Sequence, residues 1–280
     1  MKMTQEKNIS SLQLTCLISL YHRDNPTHFK EALESIGNQT IPANEVVVVQ
    51  DGPVGEQLTT ILNEAKTKLP LKLVQINQNV GRGEALRIAL PQCTHELVAI
   101  MDGDDISKPY RFEKQIEEFK RDSNLLIIGG CIEEFNLTPG DLKQRRNVPL
   151  TNEEIRNKVR RRNPFNQMTV MFRKSAALEA GGYRHSIGFE DYDLWLRLLK
   201  LNGNAKNLED ILVDARVGNG MLDRRRGFSY IKSEIQFFFR AFKEKSIKFN
   251  DLAASITLRL AFRLLPQKIL KYLYIKILRK

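Results

Sequence analysis

The sequence predicts an α/β protein with a mainly parallel central sheet flanked by helices, and three observations carry that prediction. Apolar runs at 14–20, 45–50, 71–76 and 97–101 have strand length, and segments of helical spacing separate them. Parallel neighbours need such crossovers, and strands covered on both faces read as continuous hydrophobic runs. The last run, Leu97-Val98-Ala99-Ile100-Met101, then stops abruptly in Asp102-Gly103-Asp104-Asp105. Ligands of parallel sheets bind at the carboxyl ends of strands, so these acids sit where function is expected.

Taken in order, a strand at 14–20 leads to a helix from about Pro26 to Ile36 and then to an almost pure valine strand at 45–50. Helical spacing through Leu58, Ile61, Leu62 and Ala65 follows, then the strand at 71–76, a helix beginning near Gly83, and the acid-terminated strand. After Pro109 a helix carries Phe112, Ile116 and Phe119, and 125–128 resembles another buried strand before Pro139-Gly140. Thr151-Asn152-Glu153-Glu154 is a capping-type opening for a charged helix reaching Arg162. A short strand at 169–172 and an amphipathic helix at 190–201 complete this part, and the pattern turns basic and helical from Met221. No repeat or low-complexity linker intervenes, so the expected division is a catalytic-type domain at 1–220 and a basic amphipathic region at 221–280.

A chain of 280 residues, 42% of them hydrophobic, can bury a substantial core. Cys16, Cys93 and Cys131 are odd in number, lack C-x-x-C spacing and lie among apolar residues, which points to buried reduced thiols in the cytoplasm. The polar start and the lack of a long uncharged apolar run disfavour secretion and membrane spanning. A net charge of +11 calls for an anionic partner. No acid occurs from Leu252 to Lys280, where Arg259, Arg263, Lys268, Lys271, Lys276, Arg279 and Lys280 alternate with apolar residues. Such a segment either lies on an anionic membrane or folds back as a helical hairpin on its own domain, and the sequence leaves both open.

Carboxylates as close as Asp102, Asp104 and Asp105 repel one another unless a cation neutralises them, and hard oxygen ligands suit Mg²⁺ or Mn²⁺. A solvated Asp-Gly turn is the plainer alternative. A calcium EF-hand loop is excluded, because Ile106 and Ser107 occupy its ligand and glycine positions. Asp51 ends the valine strand in the same way, placed to accept from a base or ribose, or else to open an Asp-Gly turn. Gly81-Arg82-Gly83 lacks the third glycine of a dinucleotide fingerprint, since Leu86 stands there, but Arg82 could pair with a phosphate. Glu190-Asp191-Tyr192-Asp193 puts acids at a helix start, where they complement the helix dipole or supply a general base.

Together these motifs resemble glycosyltransferase family 2, over roughly residues 12–226. The resemblance rests on Leu17-Ile18-Ser19-Leu20-Tyr21, Ser35-Ile36, Gln39-Thr40, Val49-Gln50-Asp51-Gly52, Asn79-Val80-Gly81 and Met101-Asp102-Gly103-Asp104-Asp105. It continues through Pro109, Arg111, Gln115, Gly181-Gly182-Tyr183, Glu190-Asp191 and Leu194-Trp195. It implies the GT-A fold and inverting transfer of a sugar from a nucleotide-sugar, a UDP-sugar by preference, in bacterial exopolysaccharide assembly such as amylovoran biosynthesis. It further implies that Ser19, Tyr21 and Asp51 cradle the base, Asp102 reaches the ribose, Asp104 holds Mn²⁺ or Mg²⁺, Arg82 meets the diphosphate and Asp191 is the catalytic base. The acceptor expected is a lipid-linked saccharide at the inner face of the cell membrane. Two positions depart from the pattern: Gln50 stands where relatives often carry an acid, and Gln167 where they often carry histidine.

A different class remains open, a catalytically idle membrane-associated protein that keeps the fold. Nucleic-acid binding is disfavoured, because Arg160-Arg161-Arg162 and Arg224-Arg225-Arg226 come without an aromatic platform for bases.

Overall fold

The computed structural model describes residues 12–184, 188–218 and 228–264. Strands β1 (Leu14–Tyr21), β2 (Glu45–Asp51), β3 (Leu71–Ile76) and β4 (Leu97–Met101) are joined by helices α1 (Pro26–Gly37), α2 (Glu56–Lys66) and α3 (Arg82–Ala89). They lie parallel in the order β3-β2-β1-β4. The chain builds outward from β1 and then crosses back to β4 on its other side. Strand order therefore reverses between β1 and β4, and a crevice opens at their carboxyl ends.

Beyond β4 come β5 (Ile106–Ser107), α4 (Arg111–Arg121), β6 (Leu125–Phe135), β7 (Gln144–Arg146), α5 (Asn152–Lys158), β8 (Met171–Arg173), α6 (Lys174–Glu179), α7 (Glu190–Leu198) and β9 (Asn204–Arg216). The sheet continues β4-β8-β6-β9-β5, with β8 antiparallel to β4 and β6, and β7 pairing with β6. The fold is thus the expected α/β type, its sheet parallel from β3 to β4 and mixed beyond, and the strand read at 125–128 runs on to Phe135. β9 has no counterpart in the sequence reading. Lys206, Glu209 and Asp210 break its alternation, and its pairing with β6 is interrupted by register shifts at Gly130 and Cys131. The charged helix opens with the expected capping box but ends at Lys158 rather than Arg162.

Alternation along the parallel strands divides the core between the two faces of the sheet. Leu17, Val47, Val49, Val98 and Ile100 face α3 and Trp195, whereas Cys16, Ile18, Val46 and Val48 face Phe29, Leu33 and Phe112. Trp195 is fully buried, with the rings of Phe172, Phe165 and Tyr183 at centroid distances of 5.5, 6.1 and 6.4 Å. Cys16, Cys93 and Cys131 are buried and free.

Buried polar side chains hold the sheet at the places where its pattern changes. Arg111 is 0% exposed and donates to the carbonyl of Ile100 at 2.8 Å. Gln115 donates to the Thr169 carbonyl at 2.8 Å, tying α4 to the segment before β8. Gln39 donates to the Lys108 carbonyl and accepts from the Phe112 amide, which fixes the start of α4 against the end of α1. Unpaired backbone groups would be costly at such switches, and these side chains satisfy them.

Two more helices, α8 (Phe228–Lys243) and α9 (Phe249–Leu264), form a hairpin. Phe237 and Phe238 of α8 pack on Phe189 and Tyr192, so this part of the basic region lies on the α/β core. The boundary expected near Gly220 and the chain from 265 onward lie outside the described residues. No described helix is long and apolar enough to cross a membrane.

Candidate active site

The crevice at the switch point gathers the ends of five elements, β1, β2, β4, α3 and α7. Tyr21 and Asp51 are direct partners in the β1–β2 ladder, and Ile18 pairs with Met101, which puts Ser19 and Tyr21 beside the turn that follows β4. Gly103 permits that closeness: a Cβ there would lie 3.3 Å from Phe29 and 3.4 Å from the Ser19 carbonyl. The acids Asp102 and Asp104 therefore stand next to the end of β1.

Asp51 is buried, and its carboxylate is occupied by its own chain. It accepts from the amides of Val80 at 2.7 Å and Gly81 at 2.9 Å, and from Asn79 Nδ2 at 3.1 Å. Gly52 has φ of +84°, and a Cβ there would meet the Asn79 amide at 2.7 Å, so only glycine allows the two loops to touch. Asp51 thus shapes the segment that launches α3, and with it the position of Arg82.

Arg82 is ion-paired with Asp102. Burial alone would lower the pKa of this guanidinium, but Asp102, Glu190 and Asp191 surround it and hold it above its usual value. Its Nε has no partner among the described residues. Gly83 lets the starts of α3 and α7 meet, since a Cβ on it would be 3.0 Å from Glu190 Cβ. Burial, and then the adjacent Asp191, push the Glu190 carboxyl up. Asp191 itself accepts from Asn163 Nδ2 at 2.7 Å. The Tyr183 hydroxyl is buried nearby without a partner among the described residues, its ionisation disfavoured by burial and then by Asp191.

The acid turn is braced from the end of β9. Arg216, at the end of β9, donates its amide to Asp105 at 2.8 Å and its Nε to the Asp104 carbonyl at 3.0 Å, while its guanidinium pairs with Glu31 at 2.5 Å. Asp105 is 2% exposed, and burial pushes its pKa well up, with Asp104 and Asp102 adding to the effect. Asp105 is therefore a structural acid rather than one facing the crevice. Asp24, in the turn after β1, adds a further acid. Burial pushes it up to about 7, opposed by its bond from the Tyr21 amide and reinforced by Asp104 and Asp102.

The site thus concentrates negative charge on hard oxygen donors. Among the described residues, no three His, Cys, Asp or Glu side chains are already arranged as a metal-ligand set. A magnesium-like ion usually takes only one or two protein carboxylates and completes its shell with phosphate and water, so Asp102 and Asp104 are chemically suited to share one.

Of the seven residues expected from the sequence, Ser19 and Tyr21 lie in β1, Asp51 ends β2, Arg82 opens α3, Asp191 lies in the first turn of α7, and Asp102 and Asp104 lie in the turn after β4. The sequence reading did not single out Asp24, Asn163 or Arg216. Asn79 was visible within Asn79-Val80-Gly81, but no local pattern marks the other three.

The architecture is that of the GT-A nucleotide-sugar transferases. Superposition with the mannosyltransferase PcManGT from Pyrobaculum calidifontis, in complex with GDP-Man and Mn²⁺, gives a TM-score of 0.64 at 20% identity, over 89% of this chain and 70% of that one. S. aureus TarS 1-349 in complex with UDP-GlcNAc gives 0.64 at 17% identity, over 81% and 66%. The model of glycosyl transferase family 2 matches residues 15–184, and the chain belongs to that family. It is 40% identical over 260 residues to the amylovoran biosynthesis glycosyltransferase AmsE of Erwinia amylovora, covering 93% of this chain and 97% of that protein. It is 33% identical over 268 residues to the UDP-Gal:alpha-D-GlcNAc-diphosphoundecaprenol beta-1,3-galactosyltransferase of Escherichia coli, covering 96% and 97%.

Proposed function

We propose that this protein is an inverting glycosyltransferase that moves a sugar from a nucleotide-diphosphate sugar, a UDP-sugar by preference, to a hydroxyl of a lipid-linked saccharide. The process would be bacterial surface polysaccharide synthesis at the inner face of the cell membrane. The convergence of Arg82, Asp102 and the Glu190-Asp191 pair at one crevice is the observation that carries this reading. The name of the Escherichia coli relative, which specifies a diphosphoundecaprenol-linked acceptor, supports the acceptor class.

In this reading Ser19, Tyr21 and the loop organised by Asp51 receive the nucleoside, and Asp102 accepts from the ribose hydroxyls. Asp104, with Asp102, would hold Mn²⁺ or Mg²⁺, which when bound supplies positive charge for the diphosphate. Arg82 adds a fixed cation against the charge that grows on the leaving diphosphate. Asp191 takes the proton of the acceptor hydroxyl, whose oxygen attacks the anomeric carbon from the side opposite the leaving group. The carbon–diphosphate bond breaks as the glycosidic bond forms, so one displacement inverts the configuration. The hydrogen bond from Asn163 would orient the Asp191 carboxylate for this task.

The test is transfer from radiolabelled UDP-sugars to a synthetic diphospholipid-linked monosaccharide, with Mn²⁺ and with EDTA. Metal-dependent product of inverted configuration supports the reading. Absence of product with every nucleotide-sugar, together with undiminished lipid binding, would favour a catalytically idle protein instead.

A further inference from the structure

The turn between α8 and α9 carries a second concentration of charge, remote in composition from the acid-lined crevice. A cavity of about 490 Å³ opens there, lined by Arg160, Lys243, Lys245 and Lys248 together with Phe242 and Ser246. Among the described residues no carboxylate lines it. The nearby acids already have partners: Glu244 pairs with Arg184 at 2.7 Å, and Asp251 pairs with Arg161 at 2.8 Å and accepts from the Lys248 amide at 3.4 Å. The Ser246 hydroxyl is buried with no partner among the described residues. A buried hydroxyl beside four cations is a donor without an acceptor, and an anion would supply one.

The backbone of the turn adds a second observation. Helix α8 ends in a Schellman motif, with the Ser246 amide bonded to the Ala241 carbonyl at 2.8 Å and the Lys245 amide to that of Phe242 at 2.9 Å. The residue at the left-handed position of this motif is normally glycine, yet here it is Lys245, with φ of +55°. A lysine is held in a conformation that glycine adopts more readily. Around it, Phe239, Phe242 and Phe249 are 47%, 37% and 65% exposed, and the last two rings touch edge to face at 6.2 Å. Helix α8 already buries Phe237, Phe238 and Ala241 on the core, so Phe239 and Phe242 form a separate, outward apolar face.

We propose that this hairpin turn is a membrane-docking surface, in which the cationic cavity receives the phosphate of an anionic phospholipid headgroup while Phe239, Phe242 and Phe249 enter the acyl boundary. Charge complementarity selects the occupant, because cations flanked by exposed aromatics match a surface that is anionic outside and apolar just beneath. The proposal builds on the transferase reading only in that a lipid-linked acceptor would bring the enzyme to such a surface. It concerns a site distinct from the crevice.

The experiment is sedimentation of the full-length chain with phosphatidylglycerol/phosphatidylcholine vesicles and with pure phosphatidylcholine vesicles, without any sugar substrate. Lys243→Gln/Lys245→Gln/Lys248→Gln should lower partition onto anionic vesicles on the order of a hundredfold, about fivefold per cation. Lys245→Gly should lower it about fivefold without reducing the thermal midpoint, which separates lost binding from lost folding. Phe242→Ala/Phe249→Ala should weaken binding to the same vesicles, and turnover on a water-soluble acceptor should be unchanged in all three. Unaltered partition in the lysine variants would overturn the proposal and assign attachment elsewhere. Stabilisation of the wild-type chain by inorganic phosphate with no binding to vesicles would also overturn it, in favour of a soluble anion site. Because no substrate is present, failure here leaves the transferase reading intact, and absent turnover leaves the docking result intact.

Discussion

Arg82 and Asp102 hold each other: one launches α3, the other follows β4, and their ion pair ties the two together. In the proposed reading Arg82 meets the diphosphate and Asp102 the ribose, so donor binding would share or replace this pair. Arg82→Ala leaves Asp102 and Glu190 facing the donor without their cation. The expected result is a fall in kcat/KM of about a hundredfold to a thousandfold, the range for losing one preorganised charge at a reacting group. Steady-state transfer assays check it, and Arg82→Lys should recover only part, since a point charge cannot reproduce the fork of a guanidinium.

Asp51 invites a separable test. Removing its carboxylate leaves the Val80 and Gly81 amides and the Asn79 side chain without their acceptor. Asp51→Ala should therefore destabilise the fold by about 3 kcal/mol, from hydrogen bonds to a charged group, measured by urea unfolding. Donor affinity should fall in calorimetry as well, because the loop carrying Arg82 loses its anchor. Unchanged stability would mean that these bonds are not what orders the loop.

A pH dependence follows from Asp24. Its carboxyl stays protonated up to about pH 7 in the folded protein, chiefly through burial, against about 3.9 in an unfolded chain. Between these values the folded state binds more protons, so this group makes stability fall as pH rises from about 4 to 7 and level off above. Asp105 and Glu190 are shifted in the same direction by burial and act with the same sign. Asp24→Asn should flatten part of the slope in thermal unfolding measured across that range. An unchanged slope would exclude Asp24 as a contributor.

Trp195 is on the buried face of α7, in contact with three aromatic rings. Trp195→Ala should cost about 3–5 kcal/mol, as for other large-to-small core changes. Because α7 also begins with Glu190 and Asp191, transfer should decline in this variant even at temperatures where it remains folded. Chemical denaturation and transfer assays at low temperature separate the two effects.

The parallel half of the sheet was legible because its information is local. Valine runs, crossover helices and acids at strand ends are read within a few residues, which is how Asp51 and Asp102 were placed, and Asp191 was placed by the acids that open a helix. What escaped notice is brought together by topology. Asn163 reaches Asp191 across 28 positions, and nothing near it in sequence marks it as a partner. β9 was hidden because charged residues interrupt its apolar pattern, and its bulged pairing with β6 supplies the register that periodicity could not. Gln39, Arg111 and Gln115, read only as parts of a family pattern, are buried ties between carbonyls and helix starts.

The brace from Arg216 also dictates an order of events during synthesis. Its bonds to Asp105 and Asp104 span 111 and 112 positions, and its pair with Glu31 spans 185. A nascent chain that has already formed β1 to β4 therefore carries its acid turn unbraced until the last strand emerges. Contacts of such separation close late and slowly, so the crevice should be among the last parts of the molecule to become competent.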